Sequence, residues 1–489
     1  MADELLSDLD RRFASTTAQG PERRIASKPA VSLTLDPPAR DDTTRRKTFR
    51  GRLPWLMLFL GAQFLWGALL FLPGAQAYRP IIRALPYAFS AGLFIVYVMR
   101  VVRGRSPRGT VPLTLALGLL AANLLHPTSQ IAAGVAQCVF QATIAAPMFW
   151  GWKAVDSAAQ LRRLLIVAFV FNTAGAALGV LQVYFPKQFM PPEFSSLGSR
   201  LNDMYLESLT YEGIGGERIV RPPGLSDQPG GAATAGALTV VLGAGLSIAA
   251  RSNRVRALTM GAAAVGLAAI YLTQVRSLLL MSVAALAVMA IMLFRRGQVV
   301  MAGRIALSAG VLVILAFFWA RSLGGASVQE RFIGITQQGA MRTYQENRGG
   351  FVSETFGDLL DRYPLGAGLG RWGMMQIYFA NPDKVESAPI YVEIQLTGWL
   401  LDGGVPMWVF YGGAVLLSLL ASYRLSIRNR QPELAGVALI VFCVQVLIAG
   451  FGWAGPVFNT QLGILFWFLA SALYGAARGE TPEIAGRIR

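Results

Sequence analysis

Residues 256–294 read RALTMGAAAVGLAAIYLTQVRSLLLMSVAALAVMAIMLF. Apart from its first residue and Arg276, this stretch carries no charge, and only Gln274 and Val275 separate its two apolar halves. A helix needs about 20 mostly apolar residues to cross a bilayer. The stretch therefore predicts two membrane-spanning helices joined by a tight turn.

The same apolar pattern recurs along the whole chain. Hydrophobic residues make up 54% of it and charged residues 15%, whereas soluble domains carry about 25% charged residues. Blocks of bilayer-spanning length predict twelve transmembrane helices near residues 53–73, 82–101, 110–126, 129–151, 163–185, 231–250, 256–273, 276–294, 303–320, 400–423, 434–452 and 456–477. The sequence thus predicts an all-α polytopic membrane protein with about twelve transmembrane helices.

Basic residues mark every second connection between these spans, which is the pattern of the positive-inside rule for a cytoplasmic N-terminus. The basic inside segments are residues 45–52, 103–108, 153–163, 251–256, 295–304 and 424–430. The short outside links carry little charge, with Arg79 and Arg83 as the exceptions. This asymmetry and the anionic lipid of the inner leaflet explain the net charge of +17, so no nucleic-acid partner is needed.

Three regions follow from this pattern. Residues 1–52 are polar and proline-containing, and they predict a disordered basic cytoplasmic tail rather than a signal peptide. Residues 53–477 form the transmembrane domain, and residues 478–489 form a second cytoplasmic tail. Two outside segments, 186–230 and 321–398, are long enough for aqueous chemistry. Aromatic residues and Gly/Pro turns favour an ordered, partly helical structure for the second segment.

Several common chemistries are excluded by their missing motifs. The chain has no P-loop, no GxSxG elbow and no HExxH, and Gly366-Ala-Gly-Leu-Gly370 lacks the strand–helix frame of a dinucleotide site. The single histidine is His126, and both cysteines, Cys138 and Cys443, lie inside apolar blocks. A disulfide framework and a His-rich or Cys metal site are therefore excluded, and we expect no metal and no cofactor.

Arginines on the predicted outer side are the strongest signal for a binding site. They are Arg218 and Arg221 before the sixth span, Arg276 in the turn before the eighth, and Arg348, Arg362 and Arg371 in the long loop. A guanidinium matches phosphate bidentately, so the group predicts a site for a lipid-linked diphosphate or another anion. The alternatives are that Arg276 reaches a lipid headgroup and that Arg221, before Pro222-Pro-Gly224, shapes a loop. Asp227 is either a base or a helix-cap acceptor.

Three segments resemble the O-antigen ligase and O-antigen polymerase superfamily of bacterial envelope enzymes. They are Arg221-Pro-Pro-Gly-Leu-Ser-Asp-Gln-Pro-Gly230, Leu272-Thr-Gln-Val-Arg-Ser277, and the stretch from Arg348 that ends in Tyr363-Pro-Leu-Gly-Ala-Gly-Leu-Gly370. The third is the most specific, because its length, position and composition all agree. Where ligases of the superfamily carry a histidine ahead of a span, this chain has Glu393. That departure favours a polymerase over a ligase.

The resemblance implies metal-independent glycosyl transfer by a membrane glycosyltransferase of the bacterial inner membrane. Both termini would be cytoplasmic, and the active site would lie in the periplasm. The donor would be an oligosaccharide on undecaprenyl diphosphate, and further partners would be membrane lipids and the flippase and chain-length regulator of the same pathway. Glu393 and Arg276 are then the expected catalytic residues. The expected substrate-binding residues are Arg218, Arg221, Arg276, Arg348 and Arg371.

The leading expectation is a polymerase that joins lipid-linked repeats into O-antigen, capsule or exopolysaccharide. One rival is a ligase that transfers the finished glycan to lipid A–core or another acceptor. A lipid-linked oligosaccharide flippase or other transporter is a second rival, although its spans usually carry ionisable residues at mid-membrane. A structural scaffold leaves the outer arginines unexplained. Glu393 is either the base for the acceptor hydroxyl or a solvated loop carboxylate, and Asp402 is expected in a turn.

Overall fold

The computed structural model describes residues 53–72, 74–98, 105–190, 210–212, 216, 218–226, 230–338, 342, 344–381 and 388–480. The predicted tail 1–52, most of the predicted tail 478–489 and the stretch 191–209 lie outside the described residues, as does Asp227. The chain divides into two compact units at Trp55, and the larger one, Leu56–Arg489, contains all the sites discussed below.

The described chain is mostly helical. Its longer α-helices are α1 (Leu53–Leu65), α2 (Arg79–Val98), α3 (Thr110–Ala122), α4 (Ile131–Ala154), α5 (Ala158–Tyr184), α6 (Gly231–Ala249), α7 (Asn253–Thr273), α8 (Arg276–Arg295), α9 (Val299–Gln338), α10 (Gly373–Phe379), α11 (Gln395–Met407), α12 (Gly413–Arg428), α13 (Pro432–Phe451) and α14 (Gln461–Glu480). Two short strands, β1 (Thr210–Glu212) and β2 (Arg218–Val220), pair antiparallel with Glu212 opposite Arg218.

Eleven helices among the described residues are long and apolar enough to cross a membrane. Helix α3 and the turn after it, Thr110–Leu125, form an apolar helix that is shorter than these. The predicted class, an all-α polytopic membrane protein, is therefore confirmed. The count of twelve spans and the periplasmic placement of the long loops stay predictions.

Helix α6 lies at the centre of the larger unit and packs against α5, α7, α8 and α13. Small residues allow this close packing. A Cβ on Gly236 of α6 would lie 2.4 Å from the carbonyl oxygen of Gly266, and one on Gly266 of α7 would lie 2.7 Å from the carbonyl oxygen of Gly236. Small residues at a helix–helix contact let two backbones approach closely. In a membrane this close packing holds helices together, because the hydrophobic effect contributes little to their association there.

The structure breaks the chain between α7 and α8 at the predicted point, because Gln274 adopts a left-handed conformation with φ 58°. The boundary near residue 321 differs from the prediction. Helix α9 continues to Gln338 and is interrupted at Gly325, so the first part of the predicted long loop extends the helix. Consecutive helical segments follow from Gln345 to Arg362, and with α10 they agree with a partly helical segment.

Helix α11 is broken at Gly403 and Gly404. Residues Pro364 and Ala367 of the glycine-rich stretch fit into this break: Val405 N donates to the Pro364 carbonyl at 2.9 Å, and Ala367 N donates to the Leu401 carbonyl at 2.8 Å. The break thus frees backbone groups of α11, and the stretch satisfies them. Non-helical backbone at membrane depth is tolerated where protein encloses it in this way.

Candidate functional site

A cavity of about 540 Å³ opens between helix ends and loops of the larger unit. Its lining includes side-chain amides and hydroxyls: Gln63, Gln137, Asn172, Ser226, Thr234, Asn459, Thr460 and Gln461. It also includes aromatic side chains: Phe64, Trp66, Tyr87, Phe140, Phe171, Trp372 and Phe451. A few placed polar groups in an otherwise apolar cavity are typical of a ligand site. We refer to this cavity as the candidate site.

The turn after Arg221 forms one wall of the candidate site. Gln182 of α5 fixes this turn, because its Oε1 accepts from Gly224 N at 2.8 Å and its Nε2 donates to the Gly224 carbonyl at 3.0 Å. Gly230 N donates to the Arg221 carbonyl at 3.3 Å, which closes the turn immediately before α6 begins. Pro223 and Gly230 both line the cavity.

The turn that carries Arg276 lies beside it. A Cβ on Gly230 would lie 3.6 Å from Cγ2 of Val275, and Val275 itself lines the cavity. The two arginines therefore lie next to neighbouring turns of the cavity wall, although neither is itself among the residues that line the cavity, and the Nε atoms of both are buried. Sequence spacing did not establish this proximity, because 55 residues separate the two positions (276 − 221).

Arg348 and Glu393 form an ion pair. The Tyr391 hydroxyl donates a hydrogen bond to Oε2 of the same carboxylate. Burial lowers the pKa of the Arg348 guanidinium, and the neighbouring Tyr391 and Tyr344 side chains act in the opposite direction. The side chains of Arg348 and Glu393 are 34% and 20% exposed, so this carboxylate is only partly accessible to solvent. The structure thus joins two predicted site residues directly.

Two contacts connect this ion pair to the candidate site. The Tyr344 hydroxyl donates to the Trp453 carbonyl at 3.3 Å, and Gln395, two residues after Glu393, donates its N–H to the Gly452 carbonyl at 2.9 Å. Both contacts end on the turn that follows α13, and Phe451 and Gly455 of that turn line the cavity. Arg348 and Glu393 do not themselves line the cavity, but the segments that hold them are fastened to one of its walls.

Two predicted binding residues, Arg371 and Arg218, do not line the candidate site. Arg371 is 7% exposed, and its guanidinium donates to the carbonyls of Ala367 and Ala388 at 2.9 and 3.1 Å. It therefore holds loop backbone. Arg218 is exposed on β2, outside the lining of the cavity.

Arg83 is a charged residue of the lining that the arginine groups above did not include. It is the only charged side chain among the described residues that line the cavity, and its Nη1 donates to the Tyr378 hydroxyl at 3.2 Å. The sequence held a signal for it, because Arg83 is one of two arginines that depart from the charge pattern at the first outside link.

Asp402 was predicted in a turn, and this is wrong. It lies in α11 and is 2% exposed. Its Oδ1 accepts from Trp372 Nε1 at 2.7 Å and from Gln137 Nε2 at 2.6 Å. Both donors line the candidate site. The buried Asp402 carboxylate therefore holds two residues of the cavity wall in position. The adjacent Gly403 and Gly404 made a turn look plausible in the sequence, because glycine pairs often end helices.

Within the described residues, no three His, Cys, Asp or Glu side chains are grouped so that they could hold a metal ion. No protein-family model, curated protein or solved structure matches the chain. The superfamily resemblance of the three sequence segments therefore stays a prediction.

Proposed function

We propose that this protein is a membrane glycosyltransferase that joins oligosaccharide repeats carried on undecaprenyl diphosphate into a surface polysaccharide at the periplasmic face. The observation that carries the proposal is the pairing of the Arg221 and Arg276 turns at the rim of one cavity. That cavity combines amide and hydroxyl groups, which suit a glycan, with aromatic side chains, which suit sugar faces and a lipid. A lipid-linked sugar has the same combination of properties.

The proposed reaction breaks the bond between the anomeric carbon and the diphosphate oxygen. The diphosphate leaves with the electron pair, while an acceptor hydroxyl oxygen forms the new bond to the anomeric carbon. Negative charge grows on the leaving diphosphate, and arginines fixed in place stabilise it without reorganisation. We assign this role to Arg83, which lines the cavity, and to Arg276 and Arg221, which lie next to two turns of its wall.

The acceptor hydroxyl loses its proton in this step, and we assign the proton to Glu393 as general base. The ion pair with Arg348 presents Glu393 in its carboxylate form, which is the form that accepts a proton. In this proposal Arg348 positions the base, and Arg371 maintains the loop rather than contacting substrate. Arg218 has no part in the reaction.

Activity of arginine variants tests these assignments. Purified protein is supplied with one lipid-linked oligosaccharide repeat, and the release of lipid diphosphate is measured. Arg276→Lys and Arg221→Lys keep a charge but lose the planar fork, and we expect each to lose about a hundredfold in rate. Arg218→Ala is the matched control, and it should keep nearly full activity. Equal activity in all three variants would remove the arginines from the mechanism.

The same reaction separates the rival functions. Glycan that grows on the lipid supports a polymerase. Transfer that begins only after lipid A–core or another acceptor is added would identify a ligase. Movement of the unchanged substrate across a vesicle membrane, without any release of lipid diphosphate, would identify a transporter and overturn the proposal.

A further inference from the structure

A second cavity, of about 760 Å³, lies far from the candidate site. Helix α14 connects the two, because Gln461 lines the candidate site and Arg478 lines the second cavity. At about 1.5 Å per residue these positions are roughly 25 Å apart along the helix. The two cavities therefore lie toward opposite ends of a membrane-spanning helix.

The second cavity is ringed by five arginines: Arg105, Arg108, Arg424, Arg428 and Arg478. We call it the basic pocket. Arg105 and Arg108 precede α3, Arg424 and Arg428 lie in the last turns of α12, and Arg478 lies near the end of α14. Three separate parts of the fold thus place their cations around one space.

The basic pocket has an apolar floor beneath its cationic rim. Met148 of α4, Leu417 and Ala421 of α12, and Ala470 of α14 line it. Met148 and Ala470 are buried, whereas the arginines that precede α3 and end α12 are exposed. A cationic rim over an apolar floor fits an amphiphile with an anionic head.

Within the described part of the chain, four of the five rim arginines have no carboxylate partner. These four are Arg105, Arg108, Arg424 and Arg428. No carboxylate is present among the described residues of the lining. Closely spaced like charges repel one another, so an anion in the pocket would relieve this repulsion.

Two contacts hold the rim in its observed form. The Tyr474 hydroxyl of α14 donates to the Arg105 carbonyl at 2.9 Å, which fastens the segment before α3 to α14. The Arg478 guanidinium lies over the Trp152 ring, 5.4 Å from its centroid. These contacts fix the backbone at Arg105 and the guanidinium of Arg478 relative to the rest of the pocket.

We propose that the basic pocket binds an anionic glycerophospholipid, with the phosphate of the headgroup between the rim arginines and the upper acyl chain on the apolar floor. Guanidinium groups bind phosphate oxygens bidentately, and this accounts for arginine in the rim. The bound lipid would fasten α3, α12 and α14 to one another. This site is independent of the proposed reaction, because it lies at the other end of α14.

Lipid titration of the purified, delipidated full chain tests the proposal. Native mass spectrometry measures the first bound phosphatidylglycerol, with phosphatidylcholine of the same acyl chains as the neutral comparison. Arg424→Gln combined with Arg428→Gln should bind phosphatidylglycerol roughly thirtyfold more weakly, because it removes two phosphate-facing charges. The matched control combines Arg254→Gln with Arg304→Gln, two exposed arginines outside the pocket, and it should bind like the parent protein.

Three results would overturn the proposal. Equal loss of phosphatidylglycerol in both double variants would show that net charge, not the pocket, attracts the lipid. Equal affinity for phosphatidylcholine would show that the headgroup charge is not recognised. Displacement of the lipid by an equal concentration of inorganic diphosphate would assign the pocket to a soluble anion. Thermal unfolding of each variant in phosphatidylcholine micelles confirms that it is folded.

Discussion

The carboxylate of Glu393 is held by a cation on one side and a phenol on the other. A partly exposed ion pair contributes only about 0–1 kcal/mol to stability, so a merely structural role for this pair would have small consequences. A general base contributes about a hundredfold or more to the rate. The two roles of Glu393 therefore differ mainly in activity.

We predict that Glu393→Gln loses about a hundredfold in glycosyl-transfer rate, because the amide cannot accept the proton, while the unfolding temperature changes little. Glu354→Gln removes an exposed carboxylate from the neighbouring helical segment and should leave the rate unchanged. The measurement is lipid diphosphate release at saturating substrate.

The charge-swapped pair Arg348→Glu with Glu393→Arg makes this test stricter. It keeps the possibility of an ion pair but moves the carboxylate to a different backbone position. Recovery of activity in the swapped variant would mean that the pair serves structure, and it would contradict the role of Glu393 as base.

Arg83 is predicted to contact the diphosphate inside the cavity. Arg83→Ala should lose roughly a hundredfold in rate, because removal of a single charge-stabilising donor typically costs that much. Arg79→Ala is the matched control, since Arg79 lies one helical turn earlier and does not line the cavity. Similar losses in both variants would point to a structural effect on α2.

Asp402 is predicted to act on the site through Trp372 and Gln137. Asp402→Ala leaves two buried donors without their acceptor and should destabilise the protein by roughly 3 kcal/mol. Asp402→Asn keeps one acceptor oxygen and should cost about 1 kcal/mol. Thermal unfolding in detergent measures the difference, and equal destabilisation by the two substitutions would contradict this account of Asp402.

At the scale of elements, the glycine-rich stretch Tyr363–Gly370 depends on glycine for its backbone conformation and for its close packing. Gly368 and Gly370 have φ of 80° and 73°. A Cβ would lie 2.7 Å from Thr128 Oγ1 at the first position and 2.6 Å from Ala133 Cβ at the second. The stretch also donates from Gly370 N to Gln137 Oε1 at 2.9 Å, so it links the backbone of the loop to a residue of the candidate site.

Gly368→Ala should therefore destabilise the protein by about 2 kcal/mol, through a left-handed backbone and a steric clash together. Gly436→Ala is the control, because Gly436 lies within helix α13 with open space at its Cβ position, and it should be neutral or stabilising by up to about 1 kcal/mol. The comparison is the unfolding temperature in detergent. Equal tolerance of both substitutions would show that the stretch is not packed against α4.

The elements that could be predicted from sequence are those with a local signal. Apolar blocks predicted the spans, and the polar Gln274 between two such blocks predicted the turn before Arg276. Helix α9 runs beyond the predicted ninth span into the segment that was predicted to be partly helical, because residues after 321 keep a helical sequence while losing apolar character. Local sequence patterns therefore predicted those features of the fold that local interactions determine.

The candidate site could be predicted only in part, because its contacts join distant residues. The Arg348–Glu393 pair spans 45 positions (393 − 348), and Gln137 and Asp402 are 265 apart. No periodicity in a single sequence encodes such pairings. The partners of Asp402 were missed for this reason, and so was the packing of Pro364 and Ala367 into the break in α11.

At the scale of the whole molecule, two cavities lie toward opposite ends of helix α14. The candidate site lies toward the start of α14 and the basic pocket toward its end. Basic residues of membrane proteins concentrate on the cytoplasmic side. From this pattern we expect the basic pocket to face the cytoplasm and the candidate site to face the periplasm.

Cysteine labelling tests this orientation. In a background with Cys138→Ala and Cys443→Ala, Ser353→Cys and Ser106→Cys each introduce one exposed thiol near opposite ends of the molecule. A maleimide that crosses the outer but not the inner membrane should label Ser353→Cys in intact cells. It should label Ser106→Cys only after the inner membrane is disrupted. The reverse pattern would place the candidate site in the cytoplasm.

The proposed activity is the elongation of a lipid-linked glycan by this chain alone. Its most direct test is a mass spectrum of the lipid-linked products after purified protein has been incubated with one lipid-linked oligosaccharide repeat as the only substrate. We predict a series of products that differ by whole repeats, with one lipid diphosphate released for each repeat added, and no such series from Glu393→Gln. A substrate that stays at its starting mass, or that is only hydrolysed to free glycan, would contradict the claim.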